Sequence, residues 1–151
     1  MSGSPTEKQL RDLEGCVCLA LRRAMRAVTQ AYDTALRPLG VRVTQLPILT
    51  AVASHGRVPL APLAEELGMD RTTLIRNVRP LERDGLVEQG VEEGSRRTEL
   101  RATAKGRAIL ARAYPVWRRV QERASSRLPD PDWRAKLHDL EIAMQGISGD
   151  A

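Results

Sequence analysis

A chain of 151 residues suits one domain, or a small domain with helical extensions, and is long enough to bury a core without disulfide or metal staples. Hydrophobic residues make up 42% and charged residues 28%, which excludes a disordered or collagen-like chain, and no run approaches the roughly 18–20 apolar residues of a membrane helix. The net charge of +5 comes from 24 Lys+Arg against 19 Asp+Glu, nearly all the cations being Arg, and it gathers in residues 102–128. Arginine forks onto phosphates and guanine edges, so this balance gives weak support for a nucleic-acid partner.

In chain order, the first long element is a helix over about residues 8–36. Leu10, Leu13, Val17, Leu21, Ala24, Val28 and Tyr32 step by three or four along one face, and Pro38 and Gly40 end it. Thr44 is expected to cap a second helix through about Ser54, with Pro47 in its first turn and Gly56 beyond its end. A short helix, Pro62–Leu67, closes at Gly68. Gly68–Met69 makes a tight turn, and Asp70 caps a helix over Arg71–Arg83 that stops at Gly85. Leu74, Val78 and Leu81 form its core face, and Pro80 should bend it. Leu86–Gln89 and Thr98–Arg101 read as two strands of a hairpin with a long polar tip. Thr103 caps a long helix through about Leu128, with Ile109, Ala113, Val116 and Val120 inward and a kink expected at Pro115. Pro129 and Pro131 break the chain. A last helix carries Trp133, Leu137, Leu140, Met144 and Ile147 in a four-three-four-three seam.

Helix, short helix, glycine turn, helix and hairpin, in that order, make a helix-turn-helix with a wing. A second helix placed by a tight turn can lie in a major groove, where its outward residues must supply donors for base edges and phosphates. Arg71, Thr72, Thr73, Arg76, Asn77 and Arg79 have that chemistry: Arg matches guanine, Asn matches adenine, and Thr reaches a phosphate or a thymine methyl. Arg96 and Arg97 at the wing tip suit a narrow minor groove. The bland alternatives are a solvated helix face and a hairpin with incidental charge.

The segments Leu63–Arg76, Pro80–Val87 and Leu100–Gly106, in this order, resemble the multiple-antibiotic-resistance regulator (MarR) family, and the likeness extends over nearly the whole chain. The resemblance implies a dimeric winged-helix transcription factor, with Arg71, Thr72, Thr73, Arg76 and Asn77 on the recognition helix and Arg96 as the wing arginine. Where the family usually has an Asp two residues before that arginine, this chain has Gly94 in a shortened wing.

The expected architecture is thus mainly α. Residues 1–41 would form an N-terminal dimerisation helix, 42–101 a winged helix-turn-helix that binds DNA, and 102–151 the C-terminal dimerisation helices. The apolar stripes of the terminal helices would be exposed in a monomer, and a two-fold homodimer covers them while presenting two recognition helices to a palindromic site. The expected function is a repressor of transcription, bound to double-stranded DNA and released by a small-molecule effector lodged between the dimer helices and the winged domain. Cys16 and Cys18 leave two readings open: small buried hydrophobes, or an oxidant sensor in which one thiol bridges to a partner subunit, with Arg22 and Arg23 a turn further on. Two residues apart within a helix, they would face different ways and neither chelate one metal nor bond each other easily. His55 and His138 are too far apart in sequence to argue for zinc, and no set of residues reads as an active site or calls for a cofactor. Met1–Lys8 lacks a basic stretch followed by an apolar one, so a cytoplasmic protein without a secretory signal is expected.

Overall fold

The structure is a computed structural model and describes residues 4–91 and 98–146. Its helices are α1 (Glu7–Glu14), α2 (Val17–Leu36), α3 (Leu46–His55), α4 (Leu60–Glu66), α5 (Arg71–Arg83), α6 (Ala104–Ser125) and α7 (Trp133–Gly146). Three strands, β1 (Val58–Pro59), β2 (Val87–Val91) and β3 (Thr98–Ala102), pair antiparallel in the order β1-β3-β2, with Val58 opposite Leu100 and Gln89 opposite the same residue on the other side. The chain divides into two compact units, Met1–Trp117 and Arg118–Ala151.

The core of the first unit lies among α2, α3, α4, α5 and the sheet. Leu36, Ile48, Leu49, Val52, Leu63, Leu74, Leu81 and Leu100 are all fully buried there. Helices α3, α4 and α5 contribute the apolar stripes their sequences carry, α2 contributes Tyr32 and Leu36 near its end, and β3, the central strand, contributes Leu100 and Ala102 from one face. Two glycines set the ends of the functional helix pair. Gly68 (φ +59°) lets the chain reverse between α4 and α5, and Gly85 (φ +68°) ends α5 before β2, both in the left-handed region that favours glycine.

Several boundaries differ from those expected. The first long helix is two helices. Thr6 and Gln9 form a reciprocal capping box at the start of α1, Gly15 closes it with a backbone bond to Arg11, and α2 restarts after Cys16. Of the expected stripe only Tyr32, at its end, is buried, with Leu36 beyond it also inside, while Leu13 and Val17 are 60–70% exposed, as is Met25 outside the stripe. Thr44 does not cap α3. It sits in a 3₁₀ turn, Val43–Gln45, whose entry is held by the Arg42 backbone N–H donating to Gln45 Oε1 at 2.8 Å, so α3 starts at Leu46 without a side-chain cap. Strand β1 is too short to show a period, and Pro59 is tolerated in it because β1 is an edge strand. Helix α6 runs through Pro115 and ends at Ser125, three residues earlier than expected. Ala113 and Val120 are buried in it as expected.

Candidate nucleic-acid interface

Helix α5 is built at its N-terminus by Asp70. The carboxylate accepts from the Thr73 backbone N–H at 2.8 Å and from the Thr73 hydroxyl at 2.6 Å. These bonds, the side-chain one foremost, hold the Asp70 carboxyl below its ordinary value. Leu74, Val78 and Leu81 then lock one side of the helix into the core. Pro80 stands late in the helix, and the chain continues helically past it to Arg83.

At 100° per residue, Thr72, Arg76, Arg79 and Arg83 fall in one row on the side opposite the buried leucines. Arg71, Thr72, Arg76 and Arg79 are exposed, whereas Thr73 and Asn77 are half-buried. The last two are also engaged within the helix: the Thr73 hydroxyl serves the cap, and Asn77 Nδ2 donates to the Thr73 carbonyl at 2.9 Å. Neighbouring arginines are paired inside the protein. Arg83 bridges to Asp84 at 2.9 Å, Arg57 to Glu99 at 3.9 Å, and Arg101 to Glu88. Among the described residues Arg71, Arg76 and Arg79 have no such partner, so their guanidinium donors face solvent. Arg83 completes the row, and the sequence reading missed it because it lies at the end of the helix; its period is nonetheless legible. Arg96, Arg97 and Gly94 lie outside the described residues.

The end of α5 is tied to the start of α6. The Thr103 hydroxyl donates to the Gly85 carbonyl at 2.7 Å and accepts from the Gly106 N–H at 3.0 Å, so Thr103 is the expected cap of α6. Lys105 Nζ donates to the Asp84 carbonyl at 2.7 Å, which engages a cation at the C-terminus of α5. The spacing of Thr103, Lys105 and Gly106 therefore carries a junction between α5 and α6 that periodicity alone does not show.

Cys16 and Cys18 are both exposed in the single chain, so its own core does not bury them. Cys16 is the residue before α2, with φ −58° and ψ 121°, so the two thiols do not share a helix, and the spacing argument against their joining does not apply as made. Among the described residues no three His, Cys, Asp or Glu gather as a metal site, and no helix is long and apolar enough to cross a membrane.

A helix-turn-helix flanked by a three-stranded wing sheet, with unpaired arginines on its outward helix, defines a winged-helix protein of the nucleic-acid-binding kind. The MarR family model matches residues 39–98, which span α3 to the start of β3. The chain is 39% identical to the transcriptional regulator MosR of M. tuberculosis, solved in complex with DNA; the alignment covers 87% of this chain and 98% of that one, with a TM-score of 0.78. The chain therefore belongs to the MarR family of transcriptional regulators. Its fold is also that of the transcriptional repressor CouR, solved on a 23-mer DNA duplex (23% identity, 95% of this chain and 99% of that one, TM-score 0.74). Reduced AbfR, solved bound to DNA, shares it too (18% identity, 93% and 97%, TM-score 0.73). No curated protein gave a significant match.

Proposed function

We propose that this protein is a homodimeric repressor that binds a palindromic DNA site through α5 and is released by a small-molecule effector. The observation that carries the reading is the outward row of α5, where Thr72, Arg76 and Arg79 stand exposed and the two guanidiniums lack a protein partner among the described residues. Donors left free on a rigid helix are available for phosphates and base edges at little cost in ordering. The crystallisation of MosR with DNA supports the same use here. Dimerisation is supported by the exposed apolar residues of α1 and α2 (Leu13, Val17, Met25) and of α7 (Leu137, Ile142), which a second copy would cover. An effector is supported by an apolar cavity of about 720 Å³ beside α3. Duplexes selected from random sequence, followed by anisotropy titrations with Arg76→Ala, test the reading. Specific binding should weaken by about 1–3 kcal/mol and non-specific binding by less. A folded Arg76→Ala protein with unchanged specific affinity would refute the placement of α5 in the groove.

A second reading is favoured by the thiols. Cys16 and Cys18 are exposed on either side of the point where α2 begins. Oxidation by a peroxide would join two thiols as a disulfide, within the chain or to a partner subunit; the thiols lose two electrons and two protons, and the peroxide is reduced. DNA binding lost under peroxide, and retained in Cys16→Ser or Cys18→Ser, would establish this reading. Peroxide-insensitive binding by the unaltered chain would remove it.

A further inference from the structure

The cavity beside α3 has a chemistry that restricts its ligand. It lies within the first compact unit, between the outward face of α3, the end of α4 and the middle of α6. Leu46, Pro47 and Ala51 form one wall, and Leu110, Tyr114 and Trp117 the other. The Tyr114 and Trp117 rings stack with centroids 6.3 Å apart and planes 25° apart, and Tyr114 is 58% exposed. At one end Glu66, the last residue of α4, accepts a hydrogen bond at 2.8 Å from Nε2 of His55, the last residue of α3. Among the described residues no Lys or Arg lines the cavity. Arg107, one turn before Leu110, stands outside the lining and donates to the Ala53 carbonyl at 3.0 Å. Glu66 is the one carboxylate of this lining, and its partner there is the His55 imidazole.

We infer that the effector taken by this cavity is a lipophilic aryl cation. The inference rests on the effector reading given above and names its ligand class. An anion would bring its charge against the Glu66 carboxylate, with no described Lys or Arg in the wall to receive it. A cation gains the attraction of Glu66, the negative faces of Tyr114 and Trp117, and the burial of its aryl groups against Leu46 and Leu110. The position also fits control of α5. Glu66 is four residues before Asp70, so a ligand that draws Glu66 from His55 acts on the turn that sets α5.

Tetraphenylphosphonium and tetraphenylborate have nearly the same shape and opposite charge, and they test the inference directly. Binding is read at pH 8, above the ordinary imidazole range. The signals are Trp117 emission in a Trp133→Phe chain and calorimetry on the unaltered chain. The cation should bind about tenfold or more tightly than the anion, and Glu66→Gln should lower cation affinity about tenfold. Gln keeps an acceptor for His55, so the fold is retained. If the anion binds as tightly as the cation, or Glu66→Gln leaves cation affinity unchanged, the ligand class is wrong while the cavity remains an effector site. If neither ion binds and Trp117 emission instead follows protein concentration, a second copy covers the cavity and the effector reading falls with it.

Discussion

Gly106 is the position where a single methyl group should do the most damage. It lies in the first turn of α6, buried against the Leu86 backbone. A Cβ added there would fall well inside the contact distance of the Leu86 carbonyl oxygen, 3.0 Å from the Leu86 carbonyl carbon and 3.2 Å from Leu49 Cδ1. Two of the three neighbours are backbone atoms, which cannot swing aside as a side-chain end can. Alanine by itself favours a helix over glycine by about 0.5–1 kcal/mol. Overpacking costs about 1–3 kcal/mol. Relief by moving α6 would also lengthen the Thr103 bonds to Leu86 (3.1 Å) and Gly85 (2.7 Å), each worth about 0.5–1.5 kcal/mol. The costs exceed the gain, and Gly106→Ala should lose about 2–3 kcal/mol, or roughly 4–12 °C in Tm for a chain of this size. Urea and thermal unfolding followed by circular dichroism measure this. Gly90→Ala is the control, because an added Cβ at Gly90 meets nothing within 4 Å. A Gly106→Ala protein as stable as the unaltered chain, or more so, would refute the close approach of α6 to Leu86.

Asp70→Ala should lower Tm at neutral pH, because it removes both bonds to Thr73. The native Asp70 carboxyl is held below its ordinary value, so its contribution is present above that value and fades as pH falls through the lowered one; the Tm difference between Asp70→Ala and the unaltered chain should close in acid. The isosteric Thr103→Val should destabilise by about 1–3 kcal/mol, since the Gly106 N–H loses its acceptor in a part-buried site, while Thr103→Ser, which keeps the hydroxyl, should cost less. Leu140→Glu should yield monomer or aggregate in light scattering and lose specific DNA binding, whereas a folded dimeric variant would show that the α7 seam is not the interface.

Much of the functional helix is legible in the sequence because its determinants are local. Asp70 caps it, Gly85 stops it, and the three-four spacing of Leu74, Val78 and Leu81 assigns its buried side; the outward row with Arg76 and Arg79 follows from that assignment. The same holds for α6, where Thr103 is both a readable cap and the observed one. The features that tertiary structure decides depend on residues far apart in the chain. β1 exists because Val58 finds Leu100, not because two residues have a period. The division of the first helix at Gly15 and Cys16 is local by contrast: capping at Thr6, Gln9 and Gly15 prevails over the apolar stripe, because no residue of α1 is buried. Thr44 fails as a cap because Gln45 reaches back to the Arg42 N–H and Val43 donates to Asp33, ten residues earlier. Gly106 looks like an ordinary helix residue until Leu86 is brought against it, and the pairing of His55 with Glu66 arises only when α3 and α4 end side by side. Helix caps and stripes depend on short-range geometry, which the order of residues contains; close approaches, edge strands and cavities are set by which distant surfaces meet, and that is decided when the core packs.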